Sequence, residues 1–125
     1  MNKLELMKTA NEVRKGIVTA VHSAKSGHPG GSLSAADIYT YLYFEEMNID
    51  PKDIKMPTRD RFILSKGHGA VCMYITMALR GFFDYDEIVR TYGKLDSAFG
   101  QHPCKVQLPG VETSTGSLGH GIPIA

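Results

Sequence analysis

The stretch Arg61-Phe62-Ile63-Leu64-Ser65-Lys66-Gly67-His68-Gly69 places a short apolar run directly before a glycine-rich turn. The run is bounded by charged residues, as is typical of a buried parallel strand. The residues that follow, Ala70 to Leu79, are largely apolar and predict a buried helix. A strand, a glycine turn and a helix in this order indicate α/β architecture. Only this one strand is convincing, so the sequence predicts part of an α/β domain, helix-rich and with few parallel strands.

Two other helices have clear signals in the sequence. Residues near Leu4 to Ala24 carry apolar side chains at steps of three and four, which places them on one helical face. That stripe consists of Leu6, Ala10, Val13, Ile17, Ala20 and Ala24. Asp84 with Glu87 forms a cap-like pair that predicts a short helix ending near Tyr92. Residues 95–115 show no periodicity and predict a loop, and residues 118–125 begin a further element.

A second long helix is predicted from Ser34 to about Asn48, with Asp37 completing a cap at its start. Its expected apolar face contains Ile38, Tyr41 and Leu42. In a partial α/β domain such faces lack a sheet to cover them. We therefore expect self-association or a partner chain to cover the helix faces. The residues concerned are Ile38, Leu42, Val71, Ile75 and Leu79.

The composition is that of an ordinary globular chain. It has 125 residues, of which 42% are hydrophobic and 22% charged, and a formal net charge of +1. Such a balance gives no electrostatic reason to expect nucleic acid or an anionic membrane as partner. No apolar window is long enough to span a bilayer, and the N-terminus lacks a secretion signal, so a cytoplasmic protein is predicted. Cys72 and Cys104 form no CxxC pair and are interpreted as structural.

Thirteen glycines gather mainly in three clusters, and each cluster contains a histidine. The turn at residues 65–69 lies at the carboxyl end of the predicted strand, where α/β domains bind ligands. Its glycines let a ligand approach the backbone, the amides opening the next helix favour phosphate, and His68 adds a donor. The alternative is a tight turn with a solvent-exposed histidine.

The other histidines are ambiguous when each is taken alone. His28 is held between a glycine and a proline, and a histidine there either shuttles protons or only caps a carbonyl group. His102 precedes Pro103 in the long loop, His22 lies inside the first helix, and His120 stands between two glycines. The sequence contains no P-loop, no GxGxxG and no HExxH, so neither nucleotide hydrolysis nor a zinc site is supported.

Four motifs occur in a fixed order along nearly the whole chain: residues 26–30 (Ser-Gly-His-Pro-Gly), residues 60–69 (Asp-Arg-Phe-Ile-Leu-Ser-Lys-Gly-His-Gly), residues 102–103 (His-Pro) and residues 108–119 (Leu-Pro-Gly-Val-Glu-Thr-Ser-Thr-Gly-Ser-Leu-Gly). This set resembles the N-terminal, thiamine diphosphate-binding portion of transketolases. The resemblance is strongest to the N-terminal subunit of split, two-chain transketolases.

The resemblance implies transfer of a two-carbon ketol unit between sugar phosphates in carbohydrate metabolism, within the pentose phosphate pathway. It implies thiamine diphosphate and Mg²⁺ as cofactors. The expected catalytic residues are His28, near the reacting centre, and His102, near the hydroxyls of the donor substrate. The expected cofactor-binding residues are His68, near the diphosphate, and Gly116, Ser117 and Leu118, near the pyrimidine and thiazolium rings.

Some features of the family are missing from residues 1–125. The Gly-Asp-Gly metal motif and the glutamate that activates the pyrimidine are expected outside this chain, so no metal ligand is assigned here. Many relatives carry glutamine at the position of His120, which leaves its role open. We therefore expect a partial thiamine diphosphate-binding domain, truncated at its C-terminal end, that needs further segments or a C-terminal transketolase subunit. The alternatives are a non-catalytic remnant or interaction module, and another thiamine diphosphate enzyme such as 1-deoxyxylulose-5-phosphate synthase.

Overall fold

The longest helix, α1 (Lys3–Ala24), begins at a capping box. The Asn2 side chain accepts a hydrogen bond from the Glu5 amide at 2.9 Å, and the Glu5 carboxylate accepts one from the Asn2 amide at 2.8 Å. The helix ends at Lys25, whose φ of 52° is left-handed. Four residues of the predicted apolar stripe, Ala10, Val13, Ile17 and Ala20, are buried. The predicted helix and its buried face are therefore confirmed.

The computed structural model describes residues 1–125, and all of its regular secondary structure is helical. After α1 the elements are α2 (Pro29–Leu33), α3 (Ala36–Tyr41), a π-helical turn (Leu42–Glu46), a 3-10 turn (Gly67–Gly69), α4 (Ala70–Arg80), α5 (Tyr85–Thr91) and α6 (Gly121–Ile124).

The core lies around α4. Its residues 71–77 are all buried, as the apolar sequence of this helix predicts. Helices α1, α3 and α5 pack against it. The 3-10 turn at Gly67–Gly69 leads directly into α4, so this buried helix fixes the position of the glycine turn.

The predicted strand at residues 61–65 does not form. No backbone hydrogen bond joins residues 61–64 to another segment, and a strand needs such a ladder. The apolar run is nevertheless inside: Leu64 is buried, and the Phe62 ring packs edge-on against Tyr39 and Tyr43. The apolar pattern therefore predicted burial correctly and secondary structure incorrectly.

The predicted helix from Ser34 to Asn48 is wrong in its start and in its buried face. Helical structure already begins at Pro29, and the Ser34 hydroxyl donates to the Gly31 carbonyl instead of capping α3. Ile38 is 61% exposed, whereas Tyr39 and Thr40 are buried. The aromatic ring of Tyr39 packs on Phe62, which turns the adjacent Ile38 outward.

The expectation of uncovered helix faces holds for only part of the residues named for it. Val71 and Ile75 are fully buried within the chain, and Leu42 is half-buried. Ile38 and Leu79 remain exposed. The chain therefore covers most of α4 with its own helices and needs no sheet for that purpose.

The remaining predicted elements are confirmed. The Asp84 side chain accepts hydrogen bonds from the amides of Asp86 and Glu87 and caps α5, which ends close to the expected residue. Residues 95–115 form turns without a helix, and the last element begins at Gly121. None of the helices combines the length and hydrophobicity that a bilayer-spanning segment needs.

Replacing Gly16 by alanine should destabilise the fold. A Cβ there would lie 2.6 Å from Ile75 Cγ2, so α1 and α4 would have to move apart. Overpacking of this kind costs about 1–3 kcal/mol, which exceeds the ~1 kcal/mol that alanine gains over glycine in a helix. Thermal or urea unfolding of Gly16→Ala measures the net change in the free energy of unfolding. Gly30→Ala is the matched control, because a Cβ at Gly30 meets nothing within 4 Å, and it should leave stability unchanged or slightly raised.

Candidate functional site

Three histidines from separate segments meet in one cluster. His28 immediately precedes α2, His68 lies in the 3-10 turn, and His102 lies in the long loop. The ring centroids are 4.5 Å apart for His28 and His68, 6.0 Å for His28 and His102, and 5.6 Å for His68 and His102. The structure thus brings together the two predicted catalytic histidines and the histidine predicted to bind the cofactor. We call these three residues the histidine cluster.

The absence of a side chain at Gly67 lets His102 and Thr115 pack closely against the 3-10 turn. A Cβ on Gly67 would lie 2.5 Å from both His102 Nδ1 and Thr115 Oγ1, which no side chain can occupy. The Thr115 amide also donates to the Pro103 carbonyl at 3.2 Å, which joins the loop of His102 to the loop of Thr115. The glycine turn is therefore a packing surface for two polar side chains.

Two polar atoms in this region are shielded from water and have no hydrogen-bond partner. They are His28 Nδ1 and Thr115 Oγ1. A buried polar atom without a partner typically costs about 1–3 kcal/mol, so such atoms are rare. Thr40 Oγ1, on α3, is the third one in the chain. His28 Nδ1 and Thr115 Oγ1 can both be satisfied by a ligand that offers oxygens or hydroxyl groups.

The surroundings of His28 disfavour its imidazolium form. Burial lowers the pKa of His28, and the neighbouring His68 and His102 lower it further. No carboxylate forms an ion pair or hydrogen bond with any of the three rings. His28 is therefore neutral near pH 7 and can accept as well as donate a hydrogen bond.

A cavity of about 370 Å³ adjoins the cluster through Thr115. Its other walls are formed by Leu64, Ser114, Gly116, Ser117, His120 and Ile124. Two of the predicted cofactor-binding residues, Gly116 and Ser117, therefore line this cavity. Leu118 is outside its wall and is 56% exposed. The loop is tied to the predicted strand segment because the amides of Gly119 and Gly121 donate to the Ser65 carbonyl and hydroxyl at 3.0 and 2.9 Å.

Sequence reasoning missed Thr115. The residue lies inside the quoted motif of residues 108–119, directly before Gly116, but nothing in the sequence shows that its hydroxyl packs against Gly67. His22 is exposed on α1 and takes no part in the cluster. His120 is exposed and reaches only the cavity wall.

The two cysteines lie apart from the cluster. Cys72 is a free, buried core residue, and burial raises the pKa of its thiol to about 12. Cys104 is free and half-buried in the loop after Pro103. No group of three or more His, Cys, Asp or Glu side chains is arranged to hold a metal ion.

Solved structures with this backbone arrangement are transketolases. Transketolase from Leishmania mexicana superimposes with a TM-score of 0.87 at 34% identity, covering 94% of this chain and 18% of that one. Transketolase from Campylobacter jejuni gives 0.86 at 34% identity, covering 98% and 19%. The likeness confirms the predicted fold, an incomplete thiamine diphosphate-binding fold.

The family model described as "Transketolase, thiamine diphosphate binding domain" matches residues 6–125. The chain belongs to this transketolase family.

Curated relatives include proteins named as transketolase subunits. The apulose-4-phosphate transketolase subunit of Actinobacillus succinogenes is 46% identical over 97% of this chain and 44% of its own length. The 6-deoxy-6-sulfo-D-fructose transketolase subunit SqwG of a Clostridium species is 37% identical over 98% of this chain and 44% of its own length. The chain thus spans less than half the length of these two relatives.

His28 should titrate below pH 6.5, the ordinary value for histidine, when followed by NMR of its ring protons. Removing one of the neighbouring rings with His68→Asn should move the midpoint upward.

Because the pKa of His28 is lower in the folded wild-type chain than in the unfolded chain, the unfolded state binds more protons near pH 6. Stability from neutral His28 is therefore complete above about pH 6.5 and declines as pH falls through that value.

His120→Asn is the matched control for this titration, because His120 is exposed and outside the cluster. It should leave the His28 midpoint unchanged. A midpoint at or above 6.5 in the wild-type chain would contradict the burial of this ring.

Proposed function

We propose that this chain contributes part of the catalytic site of a transketolase-type transferase, which moves a two-carbon ketol unit from a ketose phosphate to an aldose phosphate. The observation that carries the proposal is the histidine cluster, three imidazoles in which His28 Nδ1 and the adjacent Thr115 Oγ1 are shielded and have no hydrogen-bond partner. The relatives, which are transketolases, support this reading over 1-deoxyxylulose-5-phosphate synthase.

The residues of the site fit thiamine diphosphate. The cluster and the adjoining cavity contain imidazole, hydroxyl and backbone groups and no carboxylate that would repel a diphosphate. His28 Nδ1 and Thr115 Oγ1 are free to accept or donate a hydrogen bond to a bound group. Gly116 leaves open space beside the cavity, so a ligand can approach the backbone there.

Each histidine then has a role that its surroundings support. His68, at the turn that opens α4, would hold the diphosphate. His28, neutral near pH 7, would hold or move a proton at the reacting centre, and His102 would bind the donor's hydroxyls. Gly116, Ser117 and Leu118 would lie along the cofactor's rings. When bound, thiamine diphosphate supplies the electron sink for carbon–carbon bond cleavage.

The rest of the active enzyme belongs to the proposal too. Mg²⁺ would bridge the diphosphate to ligands outside these residues, since no metal-binding group is arranged within them. Residues 1–125 would form a partial cofactor-binding domain completed by further segments or by a C-terminal subunit. The naming of two relatives as subunits supports a partner chain. A cytoplasmic, oligomeric enzyme that acts on sugar phosphates in the pentose phosphate pathway is the setting that we propose.

Calorimetric titration of thiamine diphosphate with Mg²⁺ tests the function. We expect weak or no binding to the chain alone, because metal normally bridges protein and diphosphate. Together with a C-terminal transketolase subunit the chain should bind the cofactor and transfer ketol units. Absence of both binding and activity in the mixture would favour a non-catalytic remnant or interaction module. Tight Mg²⁺-dependent binding to the chain alone would contradict the prediction that the metal ligands lie outside residues 1–125.

Variants of the histidine cluster should affect this assembled enzyme differently. His68→Asn should weaken cofactor binding about 10–100-fold, since a hydrogen bond to a charged group contributes about 1.5–3 kcal/mol. His102→Asn should raise KM for the donor ketose more than it changes the Kd of the cofactor. His22→Asn, an exposed histidine on α1, is the control and should change neither. Equal effects of all three substitutions would refute the assigned roles.

A further inference from the structure

Ser32 contacts the backbone of two cluster histidines at once. The residue is fully buried in α2. Its amide donates to the His28 carbonyl at 3.1 Å, and its hydroxyl donates to the His68 carbonyl at 3.1 Å. One residue therefore links the segment before α2 to the 3-10 turn before α4.

No other side-chain hydrogen bond connects these two elements. Among residues 29–33 and 67–69, the Ser32 hydroxyl makes the only one. Lys66 reaches across at the exposed rim, but its amine donates to the hydroxyl of Ser34, beyond the end of α2. Helix α2 has five residues and no side-chain cap, so it has little rigidity of its own.

The packing around Ser32 brings the rings close. The backbone of Gly31 lies close to His68. A Cβ added to Gly31 would lie only 3.4 Å from His68 Cβ. The His28 and His68 rings then meet edge to face at 4.5 Å, without a hydrogen bond between them. Their contact depends on the backbones that carry them, because neither ring is anchored by a carboxylate.

We propose that Ser32 is a positioning residue that holds His28 and His68 in ring contact by tethering the His68 carbonyl to α2. Without the hydroxyl, the 3-10 turn loses its tether to α2 and the His68 backbone can move away from His28. The significance of this geometry for cofactor binding rests on the proposed function. The geometry itself can be measured in the free chain.

Ser32→Ala tests the tether by NMR. The ionisable groups that act on His28 are His68 and His102. Moving His68 away should therefore raise the titration midpoint of His28 toward 6.5 and weaken the nuclear Overhauser contacts between the two rings. Because looser packing would also reduce the burial of His28 and raise its midpoint, a control variant is needed to separate the two causes.

Thr76→Val is the matched control. Thr76 is also fully buried, and its hydroxyl donates to the Cys72 carbonyl at 2.7 Å, within α4 and away from the cluster. This variant should lower the melting temperature while leaving the His28 midpoint and the ring contacts as in the wild type. If both variants shift His28 equally, general loosening explains the result and the tether is refuted.

The outcomes separate this proposal from the proposed function. A folded Ser32→Ala chain with unchanged midpoint and ring contacts overturns the positioning role. If Ser32→Ala does not fold, Ser32→Cys, with a weaker donor of similar shape, should give a smaller shift in the same direction, and no shift would again overturn it. In the assembled enzyme Ser32→Ala should weaken cofactor binding roughly tenfold, because a displaced His68 would lose a hydrogen bond to the cofactor worth ~1.4 kcal/mol. If the wild-type mixture binds no cofactor, the proposed function fails while the NMR result still decides the role of Ser32.

Discussion

The whole fold depends on the burial of residues 71–77 of α4. Residues 71–77 of this helix have no exposed face, so other helices must surround it on every side. Helices α1, α3 and α5 do so, and Gly16 lets α1 approach Ile75 closely. Because the 3-10 turn at Gly67–Gly69 runs straight into α4, the packing of the core also fixes the site. Stability and site geometry therefore have one origin.

Local patterns predicted the helices that bury one clean stripe. The 3.6-residue periodicity of α1 and the Asp84 cap of α5 are short-range signals, and both appear in the structure. The segment at residues 61–65 was misjudged because an apolar run shows burial, whereas a strand also needs a hydrogen-bonded neighbour. The buried face of α3 was misjudged because Tyr39 is set by its contact with Phe62, which is distant in sequence.

The three members of the histidine cluster could be named from the sequence, whereas their connections could not, and their roles remain predictions. The resemblance to transketolases named His28, His68 and His102, and the structure places all three in one cluster. Thr115 and Ser32 could not be found this way. The sequence around a serine or threonine does not indicate which group its hydroxyl will contact. The hydroxyls of Thr115 and Ser32 both lie against segments that are distant in sequence.

The cluster contains features that do not favour the stability of the fold. Burial and the neighbouring His68 and His102 imidazoles disfavour a positive charge on His28, and no carboxylate bonded to its ring offsets that cost. His28 Nδ1 and Thr115 Oγ1 are themselves shielded from water and also lack partners. Such terms lower the stability of a fold and persist where surrounding packing over-determines them. The clash that a Cβ on Gly67 would make shows how tightly that packing holds. An oxygen-rich ligand of the class proposed above would supply hydrogen-bond partners for these two atoms.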